Sequence, residues 1–314
     1  MSDVSEESAI APKPATEPGR EVATAPGKEL ETAPGKDLEA LDPSKPAGPG
    51  ELPLLTGAIV AAVFGLLLVV TAEIGAVALL VGVALAQAAL IVSWVFGTRT
   101  PGRIGALIIG SAAAIGADVA VSVSPHGQLG ALLPVLGLAV PALFAHQLMR
   151  GIARNRVVES LANVAVLVAA VVAIVALIQL RHESSGGSVS AAVAGAAAIA
   201  LVVGYLTDMT FPIARFDPEV PRGFVAVLTG AVAGAALAFL MLRSLVDFQG
   251  GRGAFLGFAV GLLVSLLAVG TGFIQLASAP ASELNARLRP VYGVLIPICF
   301  VSPIGYLLFL AIRS

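Results

Sequence analysis

His146 and Arg150 stand four residues apart at the end of one apolar run, and Glu159 and Asn163 stand four apart at the start of the next. Residues at i and i+4 share a helix face, and the short connection between the runs makes two such helices antiparallel neighbours. Asp208 closes a later apolar run at about the same depth, as does Gln275. With the arginines of nearby connections, Arg150, Arg154, Arg156, Arg215 and Arg222, these groups would form a polar vestibule. Such a vestibule suits a phosphate or a lipid headgroup, because guanidinium groups pair with phosphate oxygens at two points. The plainer reading is that positive connections set membrane topology and carboxylates pair with them. Lone His146, without a paired nucleophile, reads first as a hydrogen-bonded helix-end residue and only second as a catalytic base.

Asp118 poses a different problem. It lies fourteen residues beyond Ile104 in an apolar run, and a carboxylate in hydrocarbon costs about 2.5 to 3.5 kcal/mol on insertion scales. It therefore calls for a partner within the bundle. Metal chemistry finds little to work with: His126, His146 and His182 are far apart, Cys299 is the single cysteine, and no HExxH, phosphate-loop or GxSxG pattern occurs. No metal site and no cofactor are expected from these residues, and Cys299 reads as a packed thiol.

Membrane spans must hold all these residues. The 314 residues are 57% hydrophobic and 12% charged, with a mean hydropathy of +0.95, far above a soluble domain. A span needs about 20 apolar residues, because every backbone polar group must be satisfied within the lipid. Nine runs qualify: 54 to 72, 74 to 97, 104 to 124, 129 to 149, 157 to 180, 189 to 211, 224 to 244, 254 to 278 and 291 to 312. The expected fold is an all-α polytopic bundle of about nine transmembrane helices. Glu73 alone separates the first two runs, which predicts a tight hairpin. Pro134 with Pro141, and Pro297 with Pro303, are expected to kink the fourth and ninth spans. Gly253, Gly257 and Gly261, and Gly230 with Gly234, recur at the four-residue spacing that lets helix backbones approach closely.

Of the 18 lysines and arginines, fourteen fall on the side of the amino terminus. Positive residues are retained in the cytoplasm, so the amino terminus is expected there and the carboxyl terminus outside a plasma membrane. On this count His146 faces the cytosol while His126 and His182 face outward, so one metal site cannot use all three. Residues 1 to 52 are another material, with the repeats TAPGKELE and TAPGKDLE and with eleven carboxylates against four lysines and Arg20. Too little apolar surface is present to offset the entropy of ordering, so a disordered acidic cytosolic tail is expected, followed by a transmembrane domain from residue 53 to 314. The tail reads as a solvated spacer, with recruitment of a protein partner as the alternative. Membrane lipids are the other expected partners, and a net charge of -2 gives no reason to expect nucleic acid.

Residues 204 to 223, GYLTDMTFPIARFDPEVPRG, place an aspartate at the end of the sixth run and a Pro-rich basic connection after it. A Gly-rich eighth run and a last run containing PIGY follow. Across about residues 54 to 312 this order of segments resembles the integral membrane phosphatidate cytidylyltransferases, or CDP-diacylglycerol synthases. The resemblance implies cytidylyl transfer from CTP to phosphatidate with magnesium held by carboxylates. It carries a catalytic role onto Asp208, which with Pro218 and Gly223 is what this chain keeps of the family's Ser-Asp-Thr and Ser-Pro-x-Lys-Thr-x-Glu-Gly motifs. The family's richest signature falls where this chain reads GTGFIQLASAPASELNARLRPVYGVLIPICF; no aspartate follows Asp247, and the last lysine is Lys45. With those metal carboxylates and lysines missing, the resemblance implies a degenerate, noncatalytic partner in envelope lipid metabolism. The alternatives are a lipid-modifying transferase working at the cytosolic interface through Asp208, Glu159 and the arginines, and a small-solute transporter using Asp118.

Overall fold

The computed structural model describes residues 51 to 123, 129 to 149, 156 to 211, 215 to 217, 220 to 277 and 282 to 313. The expectations for the tail, His126, Arg150, Arg154 and Pro218 lie outside the described residues. Apolar side chains on every face, and the need to close each backbone hydrogen bond within its own segment, make the α-helix the local solution. Ten α-helices result among the described residues: α1 (Glu51–Ile74), α2 (Ala76–Gly97), α3 (Arg103–Val123), α4 (Leu133–Met149), α5 (Val157–Ala173), α6 (Ala176–His182), α7 (Gly186–Thr210), α8 (Phe224–Leu242), α9 (Arg252–Ala277) and α10 (Glu283–Arg313). With α5 and α6 taken together, nine segments among the described residues are long and apolar enough to cross a membrane. Their outward faces are also apolar: Leu66, Val77 and Ile104 are 66%, 76% and 77% exposed. Only lipid accommodates such a surface at this scale, and the chain is a multi-pass membrane protein with the expected all-α architecture.

Helices α7 and α10 form the centre. α7 packs on α1, α8 and α9, while α10 packs on α1, α2, α5 and α9. α4 is peripheral, resting chiefly on α3 and α5. The glycines at four-residue spacing meet one another. A methyl group on Gly257 would fall 2.3 Å from the Gly234 carbonyl oxygen and 2.5 Å from Cβ of Ala238, and one on Gly261 would fall 3.1 Å from the Gly230 oxygen. Backbones this close gain dispersion contacts without any hydrophobic driving force.

Four boundaries differ from the sequence expectation, each for a physical reason. The first hairpin turns at Gly75, whose backbone is fully extended; Glu73 remains in the last turn of α1, at the end of the span where water reaches it. α10 begins at Glu283, eight residues early, because the Asn285 side-chain amide donates to the Phe96 carbonyl and anchors the added turns against α2. Pro290, Pro297 and Pro303 lie inside α10 and Pro141 inside α4, while Pro134 sits in the first turn of α4, where a missing N–H breaks no helical bond. The connection after α7 contains a small antiparallel hairpin, β1 (Arg215–Asp217) with β2 (Val220–Gly223), in which Arg215 faces Gly223 and Asp217 faces Val220.

The fourth difference is the fifth run, expected as one helix and found divided between α5 and α6. The Val175 N–H bonds to the Val172 carbonyl at 3.3 Å, one residue short of the α-helical partner. This leaves the Val171 carbonyl available, and the Gln87 side-chain amide from α2 donates to it at 2.9 Å. Tightening of a turn around an inserted polar side chain is a recognised cause of helix interruption.

The glycine contact yields a direct test. Gly257→Ala is expected to lower stability by about 2 kcal/mol, the range for overpacking, in thermal unfolding of the detergent-solubilised protein. Gly270→Ala in the same helix, where nothing lies within 4 Å of the added methyl, is expected to leave the midpoint unchanged.

Candidate functional site

The ends of α2 to α5 and α10 that meet around the α2–α3 link are joined by hydrogen bonds that begin in the sequence around Trp94. Its indole N–H donates to the Asn163 carbonyl of α5 at 2.9 Å, and its ring meets Tyr292 of α10 edge-on with centroids 5.4 Å apart. The Ser160 hydroxyl of α5 donates to the Pro101 carbonyl at 2.8 Å and accepts from the Gln147 amide of α4 at 3.0 Å. Within the connection, Thr98 donates to the Trp94 carbonyl at 2.7 Å, and the Thr98 and Thr100 hydroxyls lie 2.8 Å apart. Arg99 and Gly102 adopt positive φ values of 55° and 79°, a conformation that a connection of this length needs in order to reverse between two spans. The short link from α2 to α3 is thus fixed by Ser160 of α5, itself held by Gln147 of α4, as well as by its own groups.

Fixing this link presents two cations. Arg99 and Arg103 are both exposed. The Arg103 guanidinium carbon stands 5.7 Å from the centre of the Phe96 ring, within range of a cation–π contact. Beside them a cavity of about 970 Å³ opens between α3 and α4, with Arg99, Thr100, Arg103 and His146 at its polar end and Ile108 and Ala145 among its apolar walls. His146 fits because Gly105 has no side chain: a Cβ there would lie 2.0 Å from Cε1 and 2.1 Å from Nδ1 of the imidazole. The described residues lining this space come from the α2–α3 link, α3 and α4 alone.

Of the candidate residues, His146 therefore reaches this cavity. Glu159 does not; it pairs with Arg156 one turn earlier, at 2.5 Å, on an exposed edge of α5. Asn163 contributes its backbone carbonyl, as acceptor from Trp94. Arg215 and Arg222 belong to strands β1 and β2, of which β2 packs with α7, α8 and α9. Asp208 belongs with that second group. It is 5% exposed, and its Oδ1 accepts the Gly223 N–H at 2.9 Å. Gly223 precedes α8 directly, so the carboxylate joins the end of α7 to the start of α8 across the hairpin. Thr207 and Thr229 repeat the link one step away, with hydroxyl oxygens 3.0 Å apart.

Asp118 has its partner. Gln87, 2% exposed, donates from the same amide nitrogen to Asp118 Oδ1 at 3.1 Å and to the Val171 carbonyl. One side chain thus satisfies a carboxylate on α3 and the carbonyl released where α5 meets α6. At the opposite end of the bundle, Glu73, Arg181, His182 and Glu183 border a second recess of about 530 Å³, and Glu183 pairs with Arg313 at 3.2 Å. Among the described residues no three His, Cys, Asp or Glu side chains are grouped as metal ligands.

Sequence reasoning missed Arg99 and Arg103 as site residues, although both were counted for topology. The available signal was their position on either side of TPG, followed two residues later by Gly105, a glycine able to receive a histidine from the next span. Gln87 was also overlooked, and a single amide in the run from 74 to 97 was signal enough.

The Asp208 contact is testable. Asp208→Ala leaves the Gly223 N–H without its acceptor and is expected to cost about 1 to 3 kcal/mol, read as a lower thermal midpoint. Asp208→Asn retains an acceptor oxygen and is expected to recover most of that loss.

Comparison with known protein families, with curated proteins and with solved structures finds no match to this chain.

Proposed function

We propose that this multi-pass protein is a noncatalytic partner in the lipid metabolism of a plasma membrane, with its amino terminus in the cytoplasm. The observation that carries this reading is the state of Asp208. The one residue onto which the cytidylyltransferase resemblance carries a catalytic role is buried and bonded to the Gly223 backbone. A carboxylate used in this way secures a connection between helices and has little surface left for a substrate. The separation of His146 from Asp208, each with its own packing group, supports the same reading. So does the sequence between the last two spans, which has no aspartate to hold a nucleotide's metal.

Membranes containing the protein, supplied with radiolabelled CTP, magnesium and phosphatidate, are expected to form no labelled lipid above the level of membranes lacking it. Labelled product that disappears in Asp208→Asn at unchanged protein level would establish the transferase instead. Orientation is checked separately by reporters fused after Ser314: alkaline phosphatase is expected to be active and a fluorescent protein dark, and the reverse pattern would invert the topology.

A further inference from the structure

The cavity between α3 and α4 has a polar end and an apolar body, and both are placed where a membrane lipid has the same two parts. Arg99 and Arg103 lie at the helix ends, and Ile108 is five residues into α3, about 7 Å deeper at the helical rise. Ile104 and Ile108 are 77% and 63% exposed, so this wall belongs to the lipid-facing surface. Neither Arg99 nor Arg103 has a carboxylate partner among the described residues, unlike Arg156, Arg287 and Arg313, which are paired. Two unpaired guanidinium groups at a membrane surface favour an anion, and phosphate diesters fit their two-point geometry.

The volume is also appropriate. About 970 Å³ lies at the upper end of small-molecule sites, enough for a headgroup and the first part of its acyl chains. The polar end is prearranged: hydrogen bonds from Ser160 to Pro101, and between Thr98 and Thr100, hold the link that carries Arg99. The missing side chain at Gly105 seats the imidazole of His146 between the helices, and His146 forms part of the lining. α4 has few neighbours besides α3 and α5, and the exposed Ile104 and Ile108 of the α3 wall put lipid within reach of the cavity.

We propose that this cavity binds one anionic phospholipid from the leaflet, with its phosphate held by Arg99 and Arg103 beside His146 and its chains along Ile104, Ile108 and Ala145. Such a site serves a noncatalytic protein and an enzyme alike, so its fate is separate from that of the CTP assay.

Native mass spectrometry of the full-length protein in detergent, titrated with phosphatidylglycerol and with phosphatidylcholine of the same chain length, tests the site. Phosphatidylglycerol is expected to bind one to one in preference to phosphatidylcholine. The double variant Arg99→Gln/Arg103→Gln is expected to weaken phosphatidylglycerol binding about 30-fold, the effect of two interfacial cations, and to weaken phosphatidylcholine, whose phosphate already carries a choline cation beside it, much less. Ala145→Trp and the milder Ile108→Ser, which alter the apolar wall without touching charge, are expected to weaken both lipids while thermal midpoints stay near that of the parent. Equal binding of the two lipids, or an unaffected double variant, would overturn the proposal. So would full binding in both wall variants, which places the lipid elsewhere, or equally tight binding of glycerol phosphate, which makes the ligand a soluble phosphate.

Discussion

Hydrocarbon offers a peptide group no hydrogen-bond partner, so each departure from a continuous helix in this protein must be compensated by a side chain from another part of the chain. Three departures are compensated in this way. Where α5 meets α6, the released Val171 carbonyl receives the Gln87 amide. Where α7 passes to α8, the Gly223 N–H finds Asp208. Where α2 passes to α3, the Phe96 and Pro101 carbonyls are reached by Asn285 and Ser160. Of the side chains that make irregular backbone tolerable in or beside lipid, Asp208 alone looks like chemistry in the sequence, while Gln87, Ser160 and Asn285 do not.

The same constraint creates an asymmetry. The end of α2 is held by α5 and α10 through Trp94, Ser160 and Asn285, whereas α4 is bound mainly to α3 and α5. One wall of the α3–α4 cavity is therefore continuous with the best-connected part of the bundle, and the other is on its periphery. Cations on the fixed side keep their positions without being paired, since their backbone is restrained independently of their side chains. Exposed pairs such as Arg156 with Glu159 add little stability, so leaving Arg99 and Arg103 without a carboxylate partner among the described residues costs the fold little.

Nearly all of the architecture is legible in the sequence, because spans are set by length and hydropathy alone and those are local properties. The glycine spacing of α8 and α9 is legible for the same reason: a four-residue repeat marks a helix face whatever it packs against. The interruption at Ile174 and Val175 is not, since those residues are as apolar as their neighbours and the cause is an amide 84 positions before the Val171 carbonyl that it meets. Asp208 shows the opposite failure. Its type and position were visible, but its partner is a backbone N–H after a prolyl connection, and backbone donors have no signature in sequence. The grouping of His146 with Arg99 and Arg103, and not with Glu159, depended on which side of α4 meets α3, which helical spacing alone leaves open.

The close approach of α8 and α9 has a thermodynamic consequence. Soluble domains lose stability in the cold because burying apolar surface releases water, and that release carries a large heat-capacity change. The contact of Gly230 and Gly234 with Gly257 and Gly261 exchanges lipid for protein, and no water leaves it. Its strength comes from dispersion between backbones, which has little heat-capacity signature, so this half of the bundle gains its cohesion from a force that cooling does not weaken.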